Sequence, residues 1–437
     1  EHAARRRRAE EAPAPSPDGR SPVQGKLHRR TRALLPRQGA VRALWTGSEY
    51  TSEPAKLEAL YREDRESLWA AKAPTDPVQQ RRVLAWYKEQ VVRGQVASIK
   101  MPTIEDIVEL LVRTNDSAPG MDGIPYGIWR LAPYATAYWI RRVLEQAAED
   151  PDSFWEGLPG LEQALVFIPK TPEAESTKEM RPLALPNTII RIISGLLFET
   201  LSAQLGPMLA PEQALVSGFK EAPECNRRIS HFLDTGEVVP ACPAHGVRQG
   251  IAPHTSWPVS PTPALGSADH LLCPQARSAI EHIEQLERDA PAEECPLRLA
   301  LYADINKAFE RVDPAFILIV LQAWGVPPWV YWLSAFLLTG RTSKFRFGRT
   351  KGGSIAMLCG VDMGAGASVF FFNLSNDVLL RLLLSMSGVS VVAGYMDDTQ
   401  AGVDSIAGVA SAQAAVAVFG KVSGVGVDQH TSLSAQN

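Results

Sequence analysis

An α+β fold, with an antiparallel sheet packed on helices, is what this sequence predicts, and three stretches carry the prediction. Residues 297–304 alternate so that Leu297, Leu299, Leu301 and Ala303 share one face, the period of two expected of a half-buried strand. Residues 389–403 hold two short β-prone runs around Met396-Asp397-Asp398, the pattern of a hairpin. From Ser368 to about Ser385, Asn373, Asn376, Asp377 and Arg381 recur at helical spacing amid Phe and Leu, which predicts a mostly buried helix with a narrow polar stripe.

With 437 residues, 45% of them hydrophobic and 21% charged, the chain can bury a large core, expected in two lobes. A net charge of −4 excludes a surface that is basic throughout, so any contact with nucleic acid needs local patches. Such a patch opens the chain: the first fifty residues hold 11 Lys and Arg against 5 Asp and Glu, densest at Arg5 to Arg8. That run fits a solvated tail or a short nuclear signal. Cys225, Cys242, Cys273, Cys295 and Cys359 follow no regular spacing, which argues against a disulfide framework and for a reducing compartment. No signal-peptide pattern is visible and no membrane span is expected, so a soluble protein that is not secreted, nuclear or cytoplasmic, is the expectation. The chain opens on Glu1, as a piece of a longer reading frame would.

Taken in order, residues 1–45 mix Arg, Pro, Ala and Ser without apolar periodicity and are expected to be a disordered basic tail. Residues 46–100 form a helical N-terminal extension, in which Leu57, Leu60, Tyr61, Leu68, Val83, Leu84 and Tyr87 fit two amphipathic helices parted near Pro74 and Pro77. In the region 101–235, Pro102-Thr103 opens a helix carrying Ile104, Ile107, Val108, Leu110 and Leu111 that ends before Ser117-Ala-Pro-Gly-Met-Asp-Gly-Ile124. Residues 236–275 collapse into Pro, His, Ser and Gly, and a loop so far beyond about 12–15 residues reads as an insertion. Cys242-Pro-Ala-His245 in that stretch supplies one tight ligand pair where zinc sites show two, so the reading is a polar loop. The region 276–437 holds the strand, the hairpin and the buried helix, with Asp313-Pro314 as cap and first residue of a further helix through Trp324.

The chemistry is concentrated in that last region. Asp304 stands where a strand leaves the sheet, and Asp397 and Asp398 stand at the tip of a hairpin. Adjacent aspartates in a turn are ordinarily only solvated. Together with a strand-end aspartate they make a set of hard oxygen ligands, which is what phosphoryl transfer by two divalent cations requires.

Tyr302-Ala-Asp-Ile-Asn-Lys-Ala-Phe-Glu-Arg-Val312 resembles motif A, and Gly394-Tyr-Met-Asp-Asp398 motif C, of the reverse transcriptases of LINE-type (non-LTR) retrotransposons. Residues 117–125, Val166-Phe-Ile-Pro-Lys170, Met180-Arg-Pro-Leu-Ala-Leu-Pro-Asn187, Gln213 and Gly218-Phe219 resemble the family's fingers motifs, in order. The resemblance implies a right-hand polymerase fold with fingers in 101–235 and a palm in 276–437, truncated before a thumb. It implies an RNA-directed DNA polymerase of retrotransposon origin that extends a DNA primer on an RNA template with dNTPs, using two Mg2+ ions or Mn2+ in their place. Asp304 and Asp397 would hold both metals, with Asp398 nearby and the Ile305 carbonyl as a further ligand. Phe309 would be the steric gate against a ribose 2′-OH. Lys170 and Arg181 would clamp the triphosphate, and Met363, Gly364, Tyr395 and Met396 would complete the nucleotide site. A thumb and an endonuclease, encoded elsewhere in a parent polyprotein, would be its companions.

Three positions depart from the family. Gly360-Val-Asp-Met-Gly-Ala-Gly-Ala-Ser368 carries Met363 for the glutamine and Gly366 for the proline of motif B. Gly246-Val-Arg-Gln-Gly250 spells the missing signature, but out of order. Thr431 stands in place of the lysine expected to protonate pyrophosphate, beside His430. These departures leave open a decayed or domesticated palm that binds RNA, in the manner of a maturase, without polymerising.

Overall fold

The computed structural model describes residues 43–46, 48–69, 75–91, 98–151, 154, 161–171, 173–213, 222–238, 298–304, 307–348, 350–395, 398–425 and 431–436. For Ser67, residues 222–224, Asp304 and residues 431–436 the description is of the backbone. Residues 1–42 of the expected basic tail, nearly all of the Pro-rich insertion with its Cys and His residues, and the Gly246–Gly250 signature lie outside these residues. The last residues of that tail correct the expectation of disorder there, because Leu44 and Trp45 form a strand and Leu44 is fully buried.

Both helices expected between Pro54 and Gly94 form, as α1 (Pro54–Trp69) and α2 (Pro77–Gln90). Asp76 caps α2, its carboxylate accepting from the amides of Val78 and Gln79. A short strand pair, β1 (Leu44–Trp45) and β2 (Tyr50–Thr51), precedes them. Thr103 and Asp106 close a reciprocal capping box on α3 (Ile104–Arg113), which starts where Pro102-Thr103 predicts. α4 (Tyr126–Leu131) and α5 (Pro133–Glu149) follow.

One four-stranded sheet joins β3 (Glu162–Pro169) and β4 (Met180–Leu185) to a hairpin from much later in the chain, β6 (Arg341–Phe347) and β7 (Thr350–Met357), in the order β4-β3-β6-β7. β3 runs parallel to β6 and the other pairs are antiparallel. α1 lies across this sheet as a wall of its core: Leu57, Tyr61 and Trp69 pack with Leu165, Phe345 and Ile355, and Tyr61 stacks on Phe167 with ring centroids 3.6 Å apart. Two glycines leave the room that the Glu58 carboxylate occupies, since a Cβ at Gly352 would come within 2.3 Å of Glu58 Oε2 and one at Gly353 within 2.7 Å of Glu58 Oε1. Freed of side chains there, the Gly353 amide donates to both carboxylate oxygens of Glu58, at 3.0 and 3.1 Å.

The second sheet is antiparallel throughout, in the order β10-β5-β9-β8, from β5 (Arg298–Asp304), β8 (Val389–Tyr395), β9 (Asp398–Val403) and β10 (Thr431–Gln436). Leu299, Leu301 and Ala303 face the main core, as the alternation predicts. The strand is nonetheless covered on both faces, which corrects the half-buried expectation. Ala300 packs with Ile229 and Phe232 of α7 (Ala222–Thr235), a helix that alternation within β5 cannot reveal.

Behind the main face pack α2, α6 (Thr188–Gln204), α9 (Pro314–Trp324), α10 (Pro328–Leu338), α11 (Ala367–Leu384) and α12 (Ile406–Ser423). The N-terminus of α9 follows the sequence reading: the Asp313 carboxylate caps it and Pro314 is its first residue. Residues 314–340 carry no charged side chain, a longer run than the expectation of no membrane span allowed for. Gly325, at φ 72°, and the prolines after it break the run into helices of 11 residues each, about half of what a bilayer demands. α11 and α12, at 18 residues, are apolar and long enough to cross a membrane by those criteria alone; α11 is 83% buried within the protein and α12 50%.

The polar stripe of α11 is buried, with Asn373, Asn376 and Asp377 at 0% exposure. Asp377 accepts from the Tyr87 hydroxyl, from the amide of Ala210 and from Arg381 Nε. Tyr87 in turn accepts from Trp324 Nε1 at 2.9 Å, and burial, then the neighbouring Asp377 charge, raises its pKa well above the ordinary phenol value.

Candidate active site

Strand register assembles the acidic end of the second sheet. β5 and β9 pair so that Asp304, the last residue of one, lies opposite Asp398, the first residue of the other. On the far side of β9, Asp398 lies opposite Tyr395, the last residue of β8. Directly opposed residues of antiparallel strands hold their Cα atoms about 4.5–5.5 Å apart. Two of the three aspartates that the sequence singles out therefore share one end of one sheet, although nearly a hundred residues separate them. Met396, Asp397 and Ile305 lie outside the described residues.

The sheet end is braced from behind. The Gly394 amide donates to the carbonyl of Glu212 at 3.0 Å, and buried Gln213 bridges to the same glycine. A Cβ at Gly394 would come within 3.1 Å of Leu380 on α11, so the residue before Tyr395 is held tightly against the core helix.

Just after Asp304 the chain makes a single helical turn, α8 (Ala308–Arg311), entered through Lys307 in the left-handed region at φ 53°. A turn this short has no stability of its own. Its neighbours hold it: the half-buried Phe309 ring stacks on Phe372 of α11 at 4.6 Å, and the Phe309 carbonyl accepts from the Val361 amide at 2.6 Å. Gly360, at φ 76°, lets the 360–366 loop come this close, since a Cβ there would sit 2.6 Å from the Glu310 carbonyl oxygen. Burial, followed by the nearby Arg65 charge, lowers the Lys307 pKa.

The same loop reaches the other sheet. The Ala184 amide of β4 donates to the carbonyl of Met363 at 3.0 Å, and Gly364, at φ 131°, leaves no room for a Cβ, which would lie 2.4 Å from the Ala184 carbonyl oxygen. The Met363 backbone thus ties the loop to β4. Gly366 abuts Gly195 of α6, and the Ala367 amide that opens α11 donates to Ser194 Oγ at 2.9 Å.

Arg181 is exposed on β4, three residues before Ala184, and Lys170 is exposed at the end of β3. The Lys170 amide donates to the Glu179 carbonyl at 2.9 Å and its Nζ to the Lys178 carbonyl at 3.0 Å. The structure thus joins Phe309, Met363, Gly364 and β4 in one bonded series, and it puts both cations on the strand pair that borders this series. Sequence reading missed Arg65, Glu310 and Glu212, all buried beside these elements. Charge inside a helix or next to a motif looks like ordinary surface charge until tertiary packing is known.

Hard oxygen donors at a sheet end suit divalent cations better than soft metals. Among the described residues no three His, Cys, Asp or Glu side chains gather to hold an ion, and of the aspartate trio only the side chain of Asp398 is among them. No curated protein shows a significant match to the chain. Residues 266–431, a stretch that takes in Asp304, Phe309, Met363, Gly364, Tyr395 and Asp398, match the family model described as reverse transcriptase (RNA-dependent DNA polymerase).

Proposed function

We propose that this protein is an RNA-directed DNA polymerase of LINE-type retrotransposon origin, which extends a DNA primer on an RNA template by two-metal nucleotidyl transfer. The observation that carries the reading is the register of β5 against β9, with Asp304 and Asp398 across from one another at the sheet end. Residues 266–431 support the polymerase family, whose members bind template, primer and dNTPs and use divalent metals. The β10-β5-β9-β8 sheet and its helices would form the palm. The β4-β3-β6-β7 sheet would form the fingers, drawing residues 341–357 into a lobe that otherwise comes from 101–235.

Asp304 and Asp397 would hold two Mg2+ ions, with Asp398 and the Ile305 carbonyl beside them. The ions would supply charge neutralisation and alignment for attack of the primer 3′-oxygen on the α-phosphate. Phe309 would stand against the sugar and exclude a 2′-OH. Lys170 and Arg181 would bind the triphosphate, one as a mobile point charge and the other as a planar fork of donors.

The deciding experiment is primer extension on an RNA template with Mg2+, comparing wild type with Asp397→Ala. Loss of incorporation in the variant supports the reading, and equal incorporation by both overturns it. Met363, Gly366 and Thr431 favour a second reading, an RNA-binding palm without polymerase activity. Salt-sensitive RNA binding with no metal-dependent incorporation by wild type would select it.

A further inference from the structure

We propose that Arg65 of α1 is a positioning residue for the incoming nucleotide, a buried guanidinium that ties the Phe309 turn to the strand carrying Arg181; the inference rests on the polymerase reading above. Arg65 is 1% exposed, and its partners come from two different elements. One terminal nitrogen donates to Glu310 Oε2 at 2.5 Å, on α8, one residue after Phe309. The other donates to the carbonyls of Met180 at 3.1 Å and Thr177 at 3.3 Å, the first immediately before Arg181 on β4. The Trp69 ring lies under the guanidinium at 5.8 Å, and Asp64 approaches its Nε at 3.0 Å.

The planar fork of arginine is what makes this joint possible. It presents donors in two fixed directions, whereas a lysine offers one point charge on a flexible stem. One direction is used by the turn that presents the Phe309 ring, the other by the start of the strand that presents Arg181. If Phe309 meets the sugar and Arg181 the triphosphate, the guanidinium sets the distance between the two ends of one bound nucleotide. A further link runs to the second cation, because the Lys170 amide bonds Glu179, the residue just before Met180. Arg65 lies outside 266–431, so no sequence match to the catalytic region points to it.

The test uses Arg65→Lys and Glu310→Gln in the full chain, with two readouts. Amide hydrogen exchange is followed in segments 307–313 and 177–185, with α11 as internal reference. Single-nucleotide incorporation on a primed RNA template is measured with a dNTP and the matching rNTP. Both variants should speed exchange in the two segments together while α11 stays protected. Both should raise KM for the dNTP roughly tenfold with a much smaller change in kcat, and lower the preference for deoxynucleotide over ribonucleotide. Faster exchange in only one segment, or an unchanged KM and sugar preference in variants that incorporate, overturns the inference. Absence of incorporation by wild type overturns the polymerase reading instead, and concerted exchange alone then upholds or overturns the coupling of the two segments.

Discussion

Asp304 closes β5 directly opposite Asp398, which opens β9, so the two acidic residues are adjacent because of strand register and not because of any local turn. A register is stiff: slipping β5 by one residue would turn Leu299 and Leu301 out of the core. Asp304→Asn and Asp398→Asn keep the shape of the side chain and remove its charge. Each variant should therefore fold like wild type and show a lowered affinity for Mn2+, and Asp304→Asn should lose roughly a hundredfold or more in incorporation rate. Primer extension beside a thermal melt measures both, and a folded Asp304→Asn with wild-type rate would remove Asp304 from the mechanism.

Glu58 offers a pH signal far from the aspartates. The hydrogen bond from Arg62 lowers its pKa, partly opposed by burial and helped by the Gly353 amide. A carboxyl depressed in the folded state adds stability that is present above its unfolded value, about 4.3, and is lost as pH falls through the lower folded value. The clasp between α1 and β7 should therefore open on acidification below that range, seen as faster exchange of the Gly353 amide. Glu58→Gln should show fast exchange at neutral pH and no further acid step; an acid step that survives the substitution would assign it to another group.

Much of this arrangement is legible in the chain itself. Period-two alternation locates β5, the paired β-prone runs locate β8 and β9, and Thr103, Asp313 and Pro314 mark helix starts where the caps are found. Each of those signals is local, arising from residues a few positions apart. What the sequence does not disclose is non-local. The parallel pairing of β3 with β6 joins residues nearly two hundred positions apart, and nothing in either strand names its partner. α1 reads as an amphipathic extension, yet Gly352, Gly353 and Phe167 form the surface it needs. At the candidate site, the aspartates and Phe309 are visible as a pattern, while Arg65 is not, because its role lies in partners on α8 and before β4.

Gly364 tests the join between the loop and β4. At φ 131° with the Ala184 carbonyl oxygen 2.4 Å from a hypothetical Cβ, an alanine is both strained and obstructed. Gly364→Ala should break the bond between the Ala184 amide and the Met363 carbonyl and lower stability by about 1–3 kcal/mol. The measurement is a denaturant midpoint with exchange at Ala184. Gly123, also at positive φ but with nothing within 4 Å of its Cβ, is the control that separates strain from collision.

The buried group around Asp377 makes the largest predicted stability effect. Its carboxylate serves the Tyr87 hydroxyl, the Ala210 amide and Arg381 Nε, while Arg381 also bonds the Gln90 carbonyl at 3.1 Å and that of Met208 at 3.0 Å. Asp377→Ala strands the arginine charge in the core and should cost about 3–5 kcal/mol. Tyr87→Phe removes one donor and leaves Trp324 Nε1 without its acceptor, a loss of about 1–3 kcal/mol. Replacing both charges, as Asp377→Leu with Arg381→Met, should recover only part of the first loss. The stranded charge is gone, but the Tyr87 hydroxyl and the Ala210 amide still lack the oxygen they donate to. Denaturant unfolding of the four proteins measures the order directly. A double variant as stable as wild type would show that water, not Asp377, can satisfy those two donors.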